Sequence, residues 1–390
     1  MNENRTLELT GWRRPDGRFG IRNHILVIPT SVCSAHTASR IAELTGSIYL
    51  PNQHGCCQIG EDLAMTERVL AGFGTNPNVF AALVISLGCE TVSLARVAEM
   101  IRASGKRCES FSIQDAGGEE KAIERGVAAV NGFKSAAALC KREKMDISDI
   151  TLALECGGSD TTSGLCANPA IGMVSDRLVA LGGAAILSET TEFIGAEHIL
   201  ASRGRTPEVS DKLFGIVRRC EEVVKATGCD LRGTQPTPGN IAGGLTTIEE
   251  KSLGCIHKAG SSPVEDVLPY GAAPTGRGLY IMDSPGQDIE SITGMVAGGA
   301  QVVIFTTGRG TPTGCPIAPV IKLTGNPDTA RSMGEHIDVS AGPVVEGTAS
   351  IADISELLWE ELIAVVCGKM TRAEILGHRE FGIYRTGPTF

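Results

Sequence analysis

Short apolar runs alternate along the chain with stretches in which apolar residues recur at helical spacing. Residues 24–30 and 78–88 are continuous apolar runs of strand length, whereas residues 34–44 and 118–141 have helical periodicity. Further strands are predicted at 47–51 and 107–113, and further helices at 59–73 and 92–104. Buried strands that alternate with helices are typical of a parallel sheet covered by helices on both faces.

The same alternation restarts after a polar stretch at residues 141–149. Strands are predicted at 151–155, 183–188, 278–283 and 301–306, with helices at 169–181, 207–227, 291–297 and 351–368. Residues 228–275 are rich in Gly and Pro and only weakly periodic, so we expect a long ordered excursion there. The sequence therefore predicts an α/β protein with two domains, residues 1–143 and 144–390, each with a mostly parallel sheet flanked by helices.

Composition and charge argue against some kinds of binding partner. The 390 residues carry a formal net charge of -10, contain no long run of Lys or Arg, and include only 4% aromatic residues. This pattern argues against nucleic acid as a partner. No apolar run approaches the ~18 residues of a membrane span, and the polar first 14 residues do not resemble a signal peptide. We therefore expect a cytoplasmic protein, in which the 13 cysteines are reduced thiols.

Polar and reactive residues follow most of the predicted strands. Ligands of open parallel sheets bind outside the carboxyl ends of the strands, so these loops are expected to build one shared site. The loops are residues 54–58, 88–90, 155–160, 188–191, 283–286 and 306–313.

The residue types in these loops favour a metal site gathered from separate segments, because His, Cys, Asp and Glu are the donors for Zn and Fe. Buried thiols without a metal remain the alternative, and a Cys56 nucleophile beside His54 ranks below the metal site. The Gly-Gly-Ser-Asp turn at 157–160 and Arg309 offer backbone amides and a cation for an anionic group. Neither a Walker A motif nor a Rossmann fingerprint is present, which disfavours nucleotide cofactors.

Long motifs in these loops resemble the altronate/galactarate dehydratase family over about residues 11–381. The matching stretches are Gly20-Ile21-Arg22-Asn23, Gln53-His54-Gly55-Cys56, Gly88-Cys89-Glu90, residues 155–160, Ser188-Glu189-Thr190, Pro238-Gly239-Asn240, residues 249–254, residues 283–286 and residues 305–312.

The resemblance implies an Fe(II)-assisted lyase that performs β-elimination on an anionic 2-hydroxy acid. Fused members of the family carry a small N-terminal domain before the region that corresponds to residue 11. We therefore expect this chain to be a large subunit with a separate small (alpha) subunit, as in the family's (2R)-sulfolactate sulfo-lyases, which release pyruvate and sulfite. The alternatives are a split sugar-acid dehydratase that releases water and a non-catalytic scaffold subunit.

The resemblance also suggests roles for individual residues, each with a structural role as the alternative. The expected metal ligands are His54, Cys89, Cys156, Glu90, Glu155 and Asp160. The expected catalytic residues are Glu189 or His378 as the base and Lys251, and the expected substrate-binding residues are Arg309, Ser159 and Thr311.

Overall fold

The structure is a computed structural model that describes residues 9–390. The strands are β1 (Leu9–Arg13), β2 (Phe19–Gly20), β3 (His24–Pro29), β4 (Ile48–Tyr49), β5 (Val79–Ser86), β6 (Arg107–Ser112), β7 (Glu143–Met145), β8 (Thr151–Cys156), β9 (Ala184–Leu187), β10 (Val264–Leu268), β11 (Gly278–Met282), β12 (Val302–Thr306), β13 (Val320–Thr324) and β14 (Val339–Ser340).

The helices alternate with the strands through most of the chain. They are α1 (Val32–Thr45), α2 (Gly60–Thr75), α3 (Leu94–Ala103), α4 (Ile113–Ala116), α5 (Glu119–Ala138), α6 (Asn168–Ala180), α7 (Glu197–Ala201), α8 (Pro207–Ala226), α9 (Leu231–Thr234), α10 (Pro238–Ala242), α11 (Ile248–Cys255), α12 (Asp288–Ala297), α13 (Pro327–Ser332), α14 (Gly342–Val345), α15 (Ile351–Val366) and α16 (Arg372–Leu376). Within residues 9–390, no helix is both long enough and apolar enough to cross a membrane.

Two parallel sheets form the framework. The first has four strands in the order β4-β3-β5-β6, and the second has seven in the order β10-β11-β9-β8-β12-β13-β14. A small antiparallel sheet, β2-β1-β7, joins the start of the chain to the segment before the second sheet. The predicted α/β class is confirmed, and the division at residue 143 stays a prediction.

The elements that the pattern missed are short or carry polar residues. Strand β7 lies inside the polar stretch 141–149, because a three-residue strand with two exposed charged side chains leaves little hydrophobic signal. Strand β10 and three short helices lie in the Gly- and Pro-rich excursion. Strand β13 is completely buried but contains Lys322, whose charge interrupts the apolar run.

The two large sheets share one apolar core. Ile28 and Val84 of the four-stranded sheet belong to the same cluster as Ile186 and Phe305 of the seven-stranded sheet. Helices α2 and α12 pack against each other between them, and their backbones approach closely at Gly72. A Cβ atom on Gly72 would lie 2.5 Å from the carbonyl oxygen of Ala297, so a larger residue would push the helices apart.

A largely buried ion pair connects the segment before β3 to helix α16. The Arg22 guanidinium donates to both carboxylate oxygens of Glu374 on α16, at 2.7 and 2.8 Å, and to the carbonyls of Val365 and Lys369. Glu374 also accepts from the amide of Thr371, the residue that caps α16. A bidentate pair that also satisfies backbone carbonyls fixes the position of α15 and α16 against the first sheet.

Replacing Arg22 by Met is expected to lower the free energy of unfolding by about 3–5 kcal/mol, because the substitution leaves a carboxylate that is only 17% exposed without its cation. Urea unfolding at neutral pH measures this loss. The control is Arg40→Met, which breaks an exposed pair with Glu43 and should cost at most about 0.5 kcal/mol. Equal midpoints for the two variants would contradict the assignment.

The stabilisation by Arg22 should depend on pH. Burial alone would raise the pKa of Glu374, but the hydrogen bonds and charge of Arg22 outweigh burial and lower this pKa. A carboxyl group whose pKa is lowered on folding stabilises the protein above its unfolded pKa of about 4.3, and that contribution disappears as the pH falls through the folded value. The difference between wild type and Arg22→Met, measured by urea unfolding across the acidic range, should therefore shrink with falling pH.

Candidate active site

The carboxyl ends of β8 and β9 converge on a buried cluster of charged side chains and thiols. Strand β8 ends with Glu155 and Cys156, and the turn after β9 contributes Glu189 and Glu192. Helix α11 and the 3₁₀ turn that follows it contribute Lys251, Cys255 and Lys258, and α12 contributes Asp288. These loops meet because β8 and β9 are adjacent parallel strands.

Lys258 lies at the centre of the cluster. Its Nζ atom donates to Glu189 Oε2 at 2.9 Å and to Glu192 Oε2 at 3.1 Å, and all three side chains are almost inaccessible to solvent. Lys251 approaches the other oxygen of Glu192 at 3.3 Å from the direction of the solvent. Two ammonium groups therefore hold Glu192 ionised, and its pKa is lowered despite burial.

Two thiols also lie beside the Glu192 carboxylate, together with these lysines. The Cys156 thiol donates to Glu192 Oε2 at 2.9 Å, and its sulfur lies 3.5 Å from the sulfur of Cys255. Ser159 donates to Cys156 Sγ at 3.5 Å. Cys156, Cys255 and Glu192 thus bring two sulfur donors and one oxygen donor within 4.8 Å of one another.

A second group of acids lies beside the first. Glu155, Glu189 and Asp288 also place carboxylate oxygens within 4.8 Å of one another. Oε2 of Glu155 accepts from Ser291 at 2.5 Å and from Ser188 at 3.3 Å, but its buried Oε1 has no hydrogen-bond partner.

Burial and mutual repulsion favour protons on this second group. Burial, followed by the negative charge of Glu192, raises the pKa of Glu189 to about 8, against the attraction of Lys258. The same two causes raise the pKa of Asp288 to about 6. The pKa of Glu155 is raised well above its usual value by burial and by the charge of Glu189. Glu189 and Asp288 can therefore exchange protons near neutral pH.

The backbone around Glu189 is strained. Its φ of +71° is rare for a residue with a side chain. Ser284 Oγ accepts from the Glu189 amide at 2.9 Å, and the Cys156 amide donates to Glu189 Oε2 at 3.1 Å. These contacts direct the carboxylate towards the end of β8, and strain of this kind is concentrated at functional sites.

A cavity of about 300 Å³ lies against the cluster. Its polar wall includes Ser159, Lys251, Cys255 and His257, and its apolar wall includes Leu253. Lys251 is 14% exposed, so its ammonium group lies between the buried acids and the space that a ligand would occupy.

Of three further predicted residues, Asp160 lines this cavity, whereas Arg309 and Thr311 lie beside the neighbouring Gly158 turn. The Asp160 carboxylate accepts from Thr162, Ser163 and Asn326, and so holds loops together. Arg309 is exposed and packs beside the Gly158 turn, and the amides of both Arg309 and Thr311 donate to Thr307 Oγ1.

His54, Cys89 and Glu90 lie at the carboxyl edge of the four-stranded sheet. His54 Nε2 is 3.2 Å from the carbonyl oxygen of Ile383, and Cys89 is exposed. Burial would raise the pKa of Glu90, but hydrogen bonds from Thr30 and from backbone amides outweigh burial and lower it. The assignment of these three residues as metal ligands stays a prediction.

His378 contacts another set of residues. Its Nδ1 lies 3.0 Å from Glu380 Oε1, and its ring packs 5.7 Å from the ring of His336.

Of the predicted residues, the structure brings Glu155, Cys156, Glu189 and Lys251 into one cluster, with Ser159 at its edge.

Sequence reasoning missed Glu192, Cys255, Lys258 and Asp288. Glu192 follows Glu189 by three residues, and Cys255 follows Lys251 by four, so each pair has the spacing of one helical face. This spacing could have indicated them, but the weak periodicity of residues 228–275 concealed the helix that carries Lys251 and Cys255.

Comparison with known proteins identifies the family of the chain. Residues 147–389 match the family model described as D-galactarate/altronate dehydratase, C-terminal, and residues 11–138 match D-galactarate dehydratase/altronate hydrolase, second domain. The chain belongs to the D-galactarate/altronate dehydratase family.

Three relatives illustrate the range of the family. The (2R)-sulfolactate sulfo-lyase subunit beta of Chromohalobacter salexigens is 40% identical over 96% of each chain. Altronate dehydratase of Bacillus subtilis is 36% identical over 100% of this chain and 79% of its own length. Galactarate dehydratase (L-threo-forming) of Escherichia coli is 32% identical over 97% of this chain and 76% of its own length.

Above pH 8, where both Glu189 and Glu192 are ionised, replacing Lys258 by Met should lower the free energy of unfolding by about 3–5 kcal/mol, because two buried carboxylates lose their cation. Adding Glu189→Gln should recover part of this loss, since one of these carboxylates is then neutral. Urea unfolding of the single and double variants measures the coupling. Lys212→Met is the control: it breaks a pair with Asp266 that is 53% and 35% exposed, and it should cost less than about 1 kcal/mol. If the losses of unfolding free energy for the Lys258 and Glu189 substitutions are additive, the two side chains do not form the proposed ion pair.

Proposed function

We propose that this chain is a metal-assisted lyase subunit that performs β-elimination on an anionic 2-hydroxy acid. The observation that carries the proposal is the buried cluster, in which a carboxyl group with a raised pKa lies beside thiol donors and lysines at the edge of a cavity. Membership of a family of dehydratases and a sulfo-lyase supports lyase chemistry.

Cys156, Cys255 and Glu192 are the proposed ligands of Fe(II). Their separations of 3.5 Å between sulfurs and 2.9 Å from sulfur to oxygen suit neighbouring ligands of one ion, because metal–ligand bonds of about 2.0–2.3 Å give ligand–ligand distances of roughly 3–4 Å. Two thiols and a carboxylate also provide donors that Fe(II) accepts. When bound there, Fe(II) supplies a Lewis acid that polarises substrate oxygens and acidifies the proton α to the carboxylate.

Glu189 is the proposed base. A base is most effective when its pKa lies near the working pH, and burial with the charge of Glu192 raises the pKa of Glu189 to about 8. In the proposed reaction, Glu189 accepts the proton from the α carbon, the bond from the β carbon to the leaving group breaks, and the resulting enol becomes a 2-oxo acid. Lys258 and the Cys156 amide hold the carboxylate in place through hydrogen bonds.

Lys251 is proposed to bind the anionic substrate. Burial alone would lower the pKa of Lys251, but the charge of Glu192 and of neighbouring groups outweighs burial and raises it, so the side chain remains an ammonium group. Ser159 provides a hydroxyl on the same cavity wall, and Arg309 adds a cation beside the neighbouring Gly158 turn. A cavity of about 300 Å³ accommodates a small organic acid.

The proposed substrate is (2R)-sulfolactate, with pyruvate and sulfite as products. The relative named as a sulfo-lyase subunit aligns with 96% of this chain and 96% of its own length, whereas the dehydratases extend beyond the aligned region. Because that relative is a beta subunit, we further propose that this chain acts with a smaller partner subunit.

A sugar-acid dehydratase that releases water is the second candidate, supported by the 36% identity to altronate dehydratase.

The substrate is tested with the chain loaded anaerobically with Fe(II), alone and co-expressed with any small protein encoded beside its gene. Sulfite and pyruvate should form from (2R)-sulfolactate, while altronate and galactarate should give no 2-oxo acid. Turnover of a sugar acid alone would establish the dehydratase instead. Absence of turnover with all three acids, in an iron-loaded complex, would contradict the proposed lyase.

The base is tested with Glu189→Gln, which keeps the shape of the side chain but removes its ability to accept a proton. The variant should reduce kcat by about 10²–10⁴-fold at unchanged iron content. Glu109→Gln, a change of an exposed acid on β6, should leave kcat unaltered. Near wild-type kcat for Glu189→Gln would exclude Glu189 as the base.

The metal ligands are tested by measuring iron in purified variants. Cys255→Ser should lose most of the bound iron, because it removes one of two sulfur donors, and activity should fall in parallel. Asp288→Asn changes only the neighbouring carboxylate group and should retain iron. The reverse result would place the metal among Glu155, Glu189 and Asp288 and would contradict the thiol site.

A further inference from the structure

Two side chains that can carry a positive charge line the cavity beside the buried cluster. They are Lys251 and His257, and the other lining residues are neutral or acidic. Arg309 lies beside the neighbouring Gly158 turn and is not one of the lining residues. An anionic ligand in this cavity therefore depends on Lys251 and His257 for charge-assisted hydrogen bonds.

The two residues belong to one continuous segment but differ in their surroundings. Lys251 lies on α11, and His257 lies on the 3₁₀ turn that follows this helix. The Lys251 ammonium group already contacts Glu192 at 3.3 Å and the Gln235 side-chain oxygen at 3.3 Å. His257 is exposed, and within residues 9–390 its ring has neither a hydrogen bond nor an ion pair. The imidazole is therefore accessible to a ligand in the cavity.

The remaining side chains of the wall offer little to an anion. The carboxylates of Asp160 and Glu250 repel it, and the Asn168 amide already donates to a backbone carbonyl at 3.0 Å. Ser159 and Thr161 add only neutral hydroxyl groups. The apolar part of the wall, which does not stabilise a charged group, consists of Leu165, Leu245 and Leu253. A second anionic group on a ligand is thus best placed at His257.

The spacing along the segment suits a short ligand. His257 follows Lys251 by six positions, which corresponds to a rise of roughly 9 Å along a helix. Lysine and imidazole side chains that line the same cavity close part of this distance from either end. The remaining space matches a three-carbon acid with an anionic group at each end better than it matches a longer chain.

We propose that His257 is a specificity-determining residue that binds a second anionic group, the one on the β carbon of the substrate, while Lys251 binds the carboxylate. This inference rests on the proposed lyase function and adds a residue to the same site. An imidazole ring has an N–H donor whether it is neutral or protonated, so the contact does not require protonation of His257. His257 thereby favours an acid with a sulfonate on its β carbon over one with a neutral hydroxyl group there.

Binding of acids that lack the 2-hydroxyl group tests this preference separately from turnover. Titration calorimetry with the full chain compares 3-sulfopropanoate, which has an anionic group at each end, with propanoate, which has the carboxylate alone. The wild type should bind 3-sulfopropanoate roughly tenfold more tightly, because this ligand gains a charge-assisted hydrogen bond. Equal affinities for the two ligands would overturn the proposal.

Variants assign the preference to a residue. His257→Leu should weaken the binding of 3-sulfopropanoate roughly tenfold and leave the binding of propanoate unchanged. The matched control is His198→Leu, a change of an exposed histidine on α7, which should alter neither affinity. If Arg309→Leu removes the preference and His257→Leu retains it, the second anionic group binds Arg309 and the proposal is wrong. Because no turnover is needed, these affinities remain decisive even if the proposed lyase reaction is not observed.

Discussion

The central physical constraint is the burial of more negative than positive charge at the end of β8 and β9. Four carboxyl groups, including Glu155 and Glu189, share this space with only two ammonium groups, those of Lys251 and Lys258. A buried charge without a partner is strongly unfavourable, so the cluster must take up protons or a cation. The raised pKa of Glu189 is the expected response to this imbalance, and the proposed metal is another way to correct it.

The architecture around the cluster makes this arrangement possible. Parallel strands deliver Glu155 and Glu189 side by side, while α11 reaches across from the excursion between β9 and β10 to supply the lysine at the cavity wall. The apolar core that joins the two sheets fixes α12, which carries Asp288 and Ser291. Rigid packing of this kind is required to hold acids together against their mutual repulsion.

The sequence predicted the strand-end part of this candidate site, and the family resemblance suggested Lys251 on α11, but the other members were missed. Glu155, Cys156 and Glu189 follow buried apolar runs, and the topology rule for parallel sheets directly indicates such positions. Lys258 and Cys255 lie in a segment where Gly and Pro obscure periodicity, and their inward direction depends on how the excursion folds back. Tertiary contacts decide such positions, and local patterns contain little information about them.

The ion pair between Arg22 and Glu374 also has a consequence for synthesis of the protein. Its partners are separated by 352 residues, so the contact can form only after nearly the whole chain has left the ribosome. The buried guanidinium would until then lack its carboxylate and the carbonyls of Val365 and Lys369. Domains usually begin to fold as they emerge from the ribosome. During translation the first sheet would therefore have an Arg22 guanidinium without its hydrogen-bond acceptors, and chaperones could bind the sheet in this period.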